Sequence, residues 1–204
     1  MYILSNYLNE NLREIPTTLT EMTSHNNIKY QYRIEFEYLK KNIDNFLDDI
    51  DDERFLVLSG IRRVGKTTLL YQVYDYLLNK RKVPYDQILY VSCDDLNDIA
   101  KCSIRELTEI YLKNLHDTNI RMLKKKIFLL IDESQYDKNW ALSGKIIYDR
   151  TINIFMIFTG SSALHLESNP DAARRSYSYE IRPVSYQQHI KLKYNIPPKT
   201  FALL

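Results

Sequence analysis

The stretch at residues 60–68, GIRRVGKTT, contains the residue types that bind phosphate at the spacing that this chemistry requires. Gly60 and Gly65 lack a Cβ atom, so the backbone can turn sharply and direct successive N–H groups at an anion. Lys66 can reach the outer phosphates of a nucleotide, and the Thr67 hydroxyl can ligate Mg²⁺. The pattern GxxxxGK[ST] therefore predicts a phosphate-binding loop.

The residues on either side of the loop support this prediction. The apolar run at residues 55–58 predicts a buried strand, and apolar residues at helical spacing follow from Leu69 to Leu78. The positive end of such a helix adds to the attraction for an anion. Thr68 is expected mainly to pack in the first helical turn, and Arg62 can touch phosphate or a nearby carboxylate. The predicted nucleotide-binding residues are Gly60, Arg63, Val64, Gly65, Lys66, Thr67 and Thr68.

Two acidic residues follow another apolar run, at residues 127–131. Asp132 and Glu133 stand where the predicted strand leaves the sheet. Asp132 is placed to hold Mg²⁺ opposite Thr67, through a bound water. Glu133 can polarise the water that attacks a γ-phosphate. A strand that ends in solvated acids is the alternative, and the phosphate-binding loop upstream argues against it.

Two further groups are candidates for catalysis. A hydroxyl of Thr159 or Ser161, at the end of the run 152–158, can orient the lytic water or sense the phosphate, although small polar residues also end strands as turn formers. Arg174 and Arg175 follow a polar loop. An arginine supplied by a neighbouring subunit can stabilise charge in phosphoryl transfer, and a plain pair of surface arginines is the competing interpretation.

The elements that must position these residues alternate between strand and helix. Helices are predicted where Ser103 and Glu106 have capping-box spacing and over residues 140–148. This alternation predicts an α/β fold with a parallel sheet and helices on both faces, in which ligands bind beyond the carboxyl ends of the strands. Strands are predicted over residues 55–58, 87–93, 127–131, 152–158 and 178–181.

The segment that precedes the first strand is less informative. Residues 2–15 predict a helix that ends near Pro16, and residues 17–27 form a polar run with the composition of a linker. Residues 32–50 predict an amphipathic helix. We therefore predict an N-terminal extension and linker over residues 1–30 and a nucleotide-binding core over residues 31–204.

The composition restricts the possible partners. The 204 residues carry 28 basic and 26 acidic side chains, a net charge of +2, which gives no overall electrostatic case for nucleic acid. The lysine clusters at residues 80–82 and 124–126 are interpreted as solvated faces at element ends, and nucleic-acid binding stays open. Two cysteines without metal-type spacing predict no zinc site. The apolar runs are too short to cross a bilayer, so a cytoplasmic protein without membrane contact is expected.

With these residues identified, the chain resembles the prokaryotic AAA+-like P-loop ATPases of the archaeal ATPase type. The segments that carry the resemblance are GIRRVGKTTLL, FLLIDESQ with Trp140 shortly after, FTGSSALHL and ARRSYSYEIRPVSYQQ. The resemblance implies a P-loop NTPase three-layer sandwich with five parallel strands in the order 5-1-4-3-2. It also implies ATP with Mg²⁺ as ligand and hydrolysis by a glutamate beside the Walker B aspartate. Carried over by position, the roles fall on Lys66, Thr67, Asp132, Glu133, Ser161 and Arg175.

The resemblance has one departure. Such proteins usually continue into a helical lid and often a further C-terminal domain, whereas residues 186–204 can supply little more than one helix and a tail. We therefore expect that the chain is either a fragment or a core to which a homo-oligomer, or a C-terminal or partner domain, supplies the lid and an arginine.

Several functions share the same loop. An ATPase that hydrolyses Mg²⁺-ATP to ADP and phosphate is the leading prediction. The alternative is a nucleotide-gated switch or interaction module with little turnover by itself. A small-molecule kinase is disfavoured because a glutamate directly after the strand-terminal aspartate favours water as the acceptor. A DNA-binding regulator without turnover is disfavoured by the balanced charge.

Overall fold

The computed structural model describes residues 2–25, 28–50, 53–99, 101–161 and 170–194. Its strands are β1 Ser24–His25, β2 Ile28–Lys29, β3 Phe55–Ser59, β4 Ile88–Ser92, β5 Ile127–Asp132, β6 Ile154–Gly160 and β7 Tyr177–Glu180. Its α-helices are α1 Tyr2–Thr23, α2 Ile34–Leu47, α3 Lys66–Asp75, α4 Cys93–Ile99, α5 Ile104–His116, α6 Trp140–Arg150, α7 Pro170–Ala173 and α8 Tyr186–Tyr194. A π-helix, Tyr76–Lys80, extends α3, and short 3₁₀ helices lie at Tyr85–Gln87 and Ser134–Tyr136.

The five long strands form one parallel sheet in the order β4-β5-β6-β3-β7. Numbered along the chain without the β1–β2 hairpin, and read from the β7 edge, this is 5-1-4-3-2, so the predicted order is confirmed. Every residue of β5 and β6 is buried. Helices cover both faces of these central strands, which explains why their sequences are continuous apolar runs.

Successive residues of each strand point to opposite faces of the sheet and feed two separate hydrophobic cores. Phe55 and Val57 of β3 belong to the core that includes side chains of α5 and α6. Leu56 and Leu58 belong to the core that includes side chains of α2 and α3. The predicted three-layer α/β fold is therefore confirmed, with the carboxyl ends of β3, β5 and β6 on one edge.

The N-terminal helix differs from the prediction. Helix α1 continues through Pro16 to Thr23, so the predicted end at Pro16 and the linker that was to follow it are wrong; residues 26 and 27 lie outside the described residues. Ile15 and Leu19 are buried on either side of the proline. Burial of these side chains offsets the backbone hydrogen bond that proline cannot make. The buried hydroxyl of Thr23 donates to Leu19 O at 2.6 Å, so its hydrogen bond is satisfied within the helix.

Helix α1 packs on both faces of the sheet. Tyr7 and Leu8 belong to the same core as Phe55, whereas Ile15 and Leu19 belong to the other. The helix contacts the edge strand β4, so it crosses the sheet at that edge. The division of the chain at residue 30 stays a prediction.

The remaining helices lie close to their predicted positions. Helix α2 is shorter at both ends than the predicted 32–50, and α6 begins at Trp140 as predicted. Ser103 forms the predicted capping box: its hydroxyl accepts from Glu106 N and its N–H donates to Glu106 Oε2 at 2.8 Å. The N–H and the hydroxyl of Ser103 both donate to the Glu106 carboxylate, and these two bonds lower the pKa of Glu106. Among the described helices, none has the length and apolar character needed to cross a membrane.

Gly144 lets α6 pack closely on β3. A Cβ atom at this position would overlap the ring of Phe55. We expect Gly144→Ala to lower the free energy of unfolding by about 1–3 kcal/mol, because overpacking outweighs the better helix propensity of alanine. Urea unfolding measures this. Leu142→Ala, at an exposed position of the same helix, is the control and should have little effect. A stabilised Gly144→Ala variant would contradict the close packing.

Candidate functional site

The loop between β3 and α3 contains the lysine that was predicted to bind phosphate. Gly65 has φ 98° and Arg63 has φ 64°, so two residues of the loop have a left-handed backbone conformation. The Lys66 side chain is buried in the loop, and its Nζ donates to Gly60 O at 2.9 Å and to Ile61 O at 3.1 Å. The loop is therefore folded around the lysine ammonium group.

Gly60 is required by a close backbone approach. A Cβ atom at this position would lie 2.5 Å from Ile181 O, just beyond β7. Ile181 N in turn donates to Ser59 O at 2.7 Å. The first residue of the loop is thus packed directly against the chain that leaves β7, and no larger residue fits there.

Asp132, at the end of β5, accepts hydrogen bonds from helix α3, from strand β6 and from the next residue of its own chain. The Thr67 hydroxyl at the start of α3 donates to Asp132 Oδ2 at 2.7 Å. The Thr159 hydroxyl of β6 donates to Oδ1, as does Glu133 N at 3.1 Å. The structure therefore brings Thr67 and Asp132 together as predicted. Thr159 is fully buried beneath them and supports the carboxylate.

Tyr90 is a fourth donor to this carboxylate, and the sequence analysis did not identify it. Its hydroxyl lies 3.3 Å from Asp132 Oδ2, and its ring lies 4.6 Å from that of Tyr71. Burial, followed by the charge of Asp132, raises the pKa of Tyr90, so the phenol stays protonated and donates. The sequence alone carries no signal for this contact, because it depends on the pairing of β4 with β5, in which Ser92, two residues after Tyr90, lies opposite Asp132.

Glu133 lies beside Asp132 in a left-handed conformation, with φ 50°. Gln135 Nε2 donates to Glu133 Oε2, and Gln135 Oε1 accepts from Ser161 N at 3.3 Å. Gln135 therefore connects the Ser161 backbone N–H to the Glu133 carboxylate. The role predicted for Ser161 concerned its hydroxyl, and that role stays a prediction. In the sequence, Gln135 stands out only as part of the FLLIDESQ segment, and no role was predicted for it.

Two cavities adjoin the loop. One of about 620 Å³ is lined by Arg62, Arg63, Thr67, Asp94, Glu133 and Tyr136. A second of about 230 Å³ is lined by residues of the loop and helix α3, including Gly65, Thr68 and Leu69, and by Tyr30, Gln31 and Val184 from other segments. Arg63 lines both, so the predicted loop residues separate a polar cavity on the carboxylate side from a more apolar one.

Arg33 connects the loop to two other segments, and the sequence analysis missed it. Its guanidinium donates to Val64 O at 2.5 Å and to Arg182 O at 2.7 Å, and it forms an ion pair with Glu35 at 2.8 Å. Both charged side chains are buried. No local pattern marks this residue, because its partners lie up to 149 positions away in the chain.

The arginines near α7 lie away from this cavity. Arg175 Nε pairs with Asp149 Oδ1 at 2.5 Å, and its Nη1 donates to Asp171 O at 2.8 Å. Arg174 is exposed and has no ion pair within the described ranges. Neither residue lines the cavity that contains Glu133. Arg175 can therefore act in catalysis only at the site of a neighbouring subunit, and this role stays a prediction.

The comparison with protein families identifies this architecture. The family model described as AAA domain matches residues 52–190, which include the loop, Asp132, Glu133 and β7. The chain belongs to the AAA domain family. Its five-stranded sheet and glycine-lysine loop are therefore the P-loop nucleotide-binding fold, and the resemblance to AAA+-like ATPases is confirmed at the level of family and fold.

Relatives and solved structures agree with this assignment. The chain is 36% identical to an uncharacterized protein from Methanocaldococcus jannaschii over 96% of its own length and 39% of that protein. It is 27% identical to one from Haemophilus influenzae, over 74% of the chain and 37% of that protein. The chain thus spans less than two fifths of these relatives.

Two solved structures share the fold. AMPPCP-bound DnaA from Aquifex aeolicus has a TM-score of 0.50 at 17% identity, covering 78% of this chain and 48% of that one. A DNA replication initiation factor has a TM-score of 0.51 at 16% identity, covering 80% of this chain and 51% of that one. At these identities the similarity concerns the fold alone.

Proposed function

We propose that the chain binds Mg²⁺-ATP and hydrolyses it to ADP and phosphate. The observation that carries this proposal is the hydrogen bond of 2.7 Å between Thr67 and the buried Asp132, next to a cavity that Thr67 and Glu133 line. It joins a hydroxyl beside the phosphate-binding loop to a carboxylate at a strand end. A hydroxyl and a carboxylate are oxygen ligands that Mg²⁺ prefers, and Mg²⁺ in nucleotide sites is held by one or two of them plus phosphate oxygens.

Each residue has a distinct task in this proposal. Lys66 exchanges its hydrogen bonds to loop carbonyls for bonds to the β- and γ-phosphates. Thr67 and Asp132 hold Mg²⁺, which neutralises phosphate charge when bound. Glu133 accepts a proton from water as the water oxygen bonds to the γ-phosphorus. The bond from that phosphorus to the bridging oxygen breaks, and ADP leaves.

The smaller cavity is suited to the base of the nucleotide. It shares Arg63 with the cavity that Glu133 lines, and it is lined in part by Tyr30, Leu69 and Val184. Aromatic and aliphatic side chains provide the apolar contact that a planar base requires. The proposed nucleotide therefore extends from the Glu133 cavity across the loop to this cavity.

One observation favours the alternative, a nucleotide-gated module with little turnover by itself. The arginines that line the Glu133 cavity are Arg62 and Arg63, whereas Arg175 is paired with Asp149 outside it. An arginine supplied by a neighbour contributes about 10³–10⁵ in rate in related phosphoryl transfers. An isolated chain would then bind ATP tightly and turn it over slowly, and assembly would complete the site.

The test is phosphate release from ATP and Mg²⁺ at increasing protein concentration, for the unmodified chain and Lys66→Ala. We expect activity in the unmodified chain that rises per molecule with concentration. In Lys66→Ala we expect ATP affinity to fall by roughly 10- to 100-fold, because charge-assisted hydrogen bonds to phosphate are lost.

Calorimetry with a non-hydrolysable ATP analogue separates the two candidate functions. Tight binding without turnover at any concentration would favour the module. Lys80→Ala, in the exposed lysine cluster at the end of the π-helix, is the matched control and should leave binding unchanged. Equal ATP affinity in the unmodified chain and Lys66→Ala would contradict the proposed site.

A further inference from the structure

We propose that Gln135 positions Glu133 for water activation by bridging its carboxylate to the end of β6. This inference rests on the proposed hydrolysis. Gln135 Nε2 donates to Glu133 Oε2, and Gln135 Oε1 accepts from Ser161 N at 3.3 Å. A single side-chain amide thus connects the hydrolytic carboxylate of one strand end to the backbone of the neighbouring strand end.

The orientation of the Gln135 amide follows from its two partners. A carboxylate only accepts hydrogen bonds, and a backbone N–H only donates. The NH₂ group must therefore face Glu133, and the carbonyl oxygen must face Ser161. The reversed amide would place acceptor against acceptor and donor against donor, so only this orientation satisfies both partners.

The backbone that carries Gln135 is held at both ends of its 3₁₀ helix. Tyr136 N donates to Glu133 O at 3.1 Å, and Ser134 is fully buried. Just beyond the helix, Asp137 Oδ2 accepts from Ile104 N at 2.9 Å, at the start of α5. The segment is therefore tied to α5, and Gln135 is a fixed support for Glu133.

This support serves the chemistry of the carboxylate. A glutamate side chain has several rotatable bonds, and catalysis by a base requires a defined position. Gln135 holds Oε2, which leaves Oε1 to accept the proton of water. The same bridge fixes the distance between Glu133 and β6, whose Thr159 holds Asp132. The proposed base, Glu133, and the proposed metal ligand, Asp132, are thus both held by hydrogen bonds to the end of β6.

The test uses two substitutions in the full chain. Gln135→Met keeps the length of the side chain and loses both hydrogen bonds. Gln135→Glu keeps an acceptor for Ser161 N and replaces the donor to Glu133 by a second carboxylate, whose charge repels that of Glu133. In both variants we expect kcat to fall by about 10- to 100-fold. This factor corresponds to the free energy of one hydrogen bond to a charged group. KM and analogue affinity should stay within about threefold, because Gln135 does not line either loop cavity.

A second readout does not depend on turnover. Hydrogen exchange of the Ser161 amide, followed by NMR, reports the bond to Gln135 Oε1 directly. Exchange should become faster in Gln135→Met and stay slow in Gln135→Glu. The matched control is Gln87→Met, a half-buried glutamine outside the site, which should change neither exchange nor kcat.

The outcomes separate this inference from the proposed function. An unmodified chain with no more phosphate release than Lys66→Ala would overturn the hydrolysis and the role of Gln135 with it. Normal turnover in the unmodified chain together with an unchanged kcat in Gln135→Met would overturn only the role of Gln135. Slow exchange at Ser161 in Gln135→Met would show that the bridge does not exist.

Discussion

Glu133→Gln is expected to lower kcat for ATP hydrolysis by about 10²–10⁴-fold, the usual contribution of a general base. The glutamine has the same shape as the glutamate, and its carbonyl oxygen can still accept from Gln135 Nε2. The substitution therefore removes the negative charge and leaves the surrounding hydrogen bonds in place. Affinity for an ATP analogue should be retained. Phosphate release and calorimetry on the same preparation measure both quantities.

The control for this substitution is Glu37→Gln, which removes the same charge from an exposed position of α2. It should leave kcat unchanged, because Glu37 lies outside the site. Unchanged turnover in Glu133→Gln would remove Glu133 from its proposed role. Lost analogue binding in Glu133→Gln would instead mean that the carboxylate supports nucleotide binding.

Arg33→Met is expected to lower the free energy of unfolding by about 3–5 kcal/mol, because it leaves Glu35 buried without its partner. The exposed fraction of both side chains is below a tenth, at 9% and 7%, so solvent screens the pair weakly. The variant also loses the hydrogen bonds to Val64 O and Arg182 O. Urea denaturation at constant pH measures the change.

Two further variants test the cause of that loss. The double variant Arg33→Met, Glu35→Met removes the unpaired charge and should recover most of the lost stability. Lys40→Met removes a half-exposed charge from helix α2, at 3.9 Å from Glu37, and should cost at most about 1 kcal/mol. An equal effect of Arg33→Met and Lys40→Met would show that the Arg33 ion pair is not buried in solution.

The sequence was sufficient for the sheet because its central strands are buried on both faces. Continuous apolar runs predict the presence of β5 and β6, but their bounds differ from the runs: β5 includes Asp132, and β6 begins at Ile154 and continues through Thr159 to Gly160. For α1 the sequence was misleading. Proline and threonine disfavour a helix only weakly when one face of that helix is buried. Ile15 and Leu19 pack in the core, and this tertiary burial outweighs the local preference for a linker.

The site was predictable to the extent that its residues lie within one motif. Lys66 and Thr67 follow from the loop pattern, and Asp132 and Glu133 follow from the strand end. Arg33 and Tyr90 act through partners that are distant in sequence, and no spacing rule connects them to the loop. Tyr90 reaches Asp132 across two paired strands, which requires the register of β4 and β5.

The hydrogen bonds of Lys66 to Gly60 O and Ile61 O have a kinetic consequence. The lysine holds the loop in its turned shape before binding, so an arriving nucleotide encounters an ordered loop and takes over the two hydrogen bonds of Lys66 without having to fold the loop. The loop loses its conformational entropy when the chain folds, so binding of the nucleotide costs little further loop entropy. Diffusion and orientation of the nucleotide should therefore govern the association rate, and differences in affinity among nucleotides should arise chiefly in their residence times.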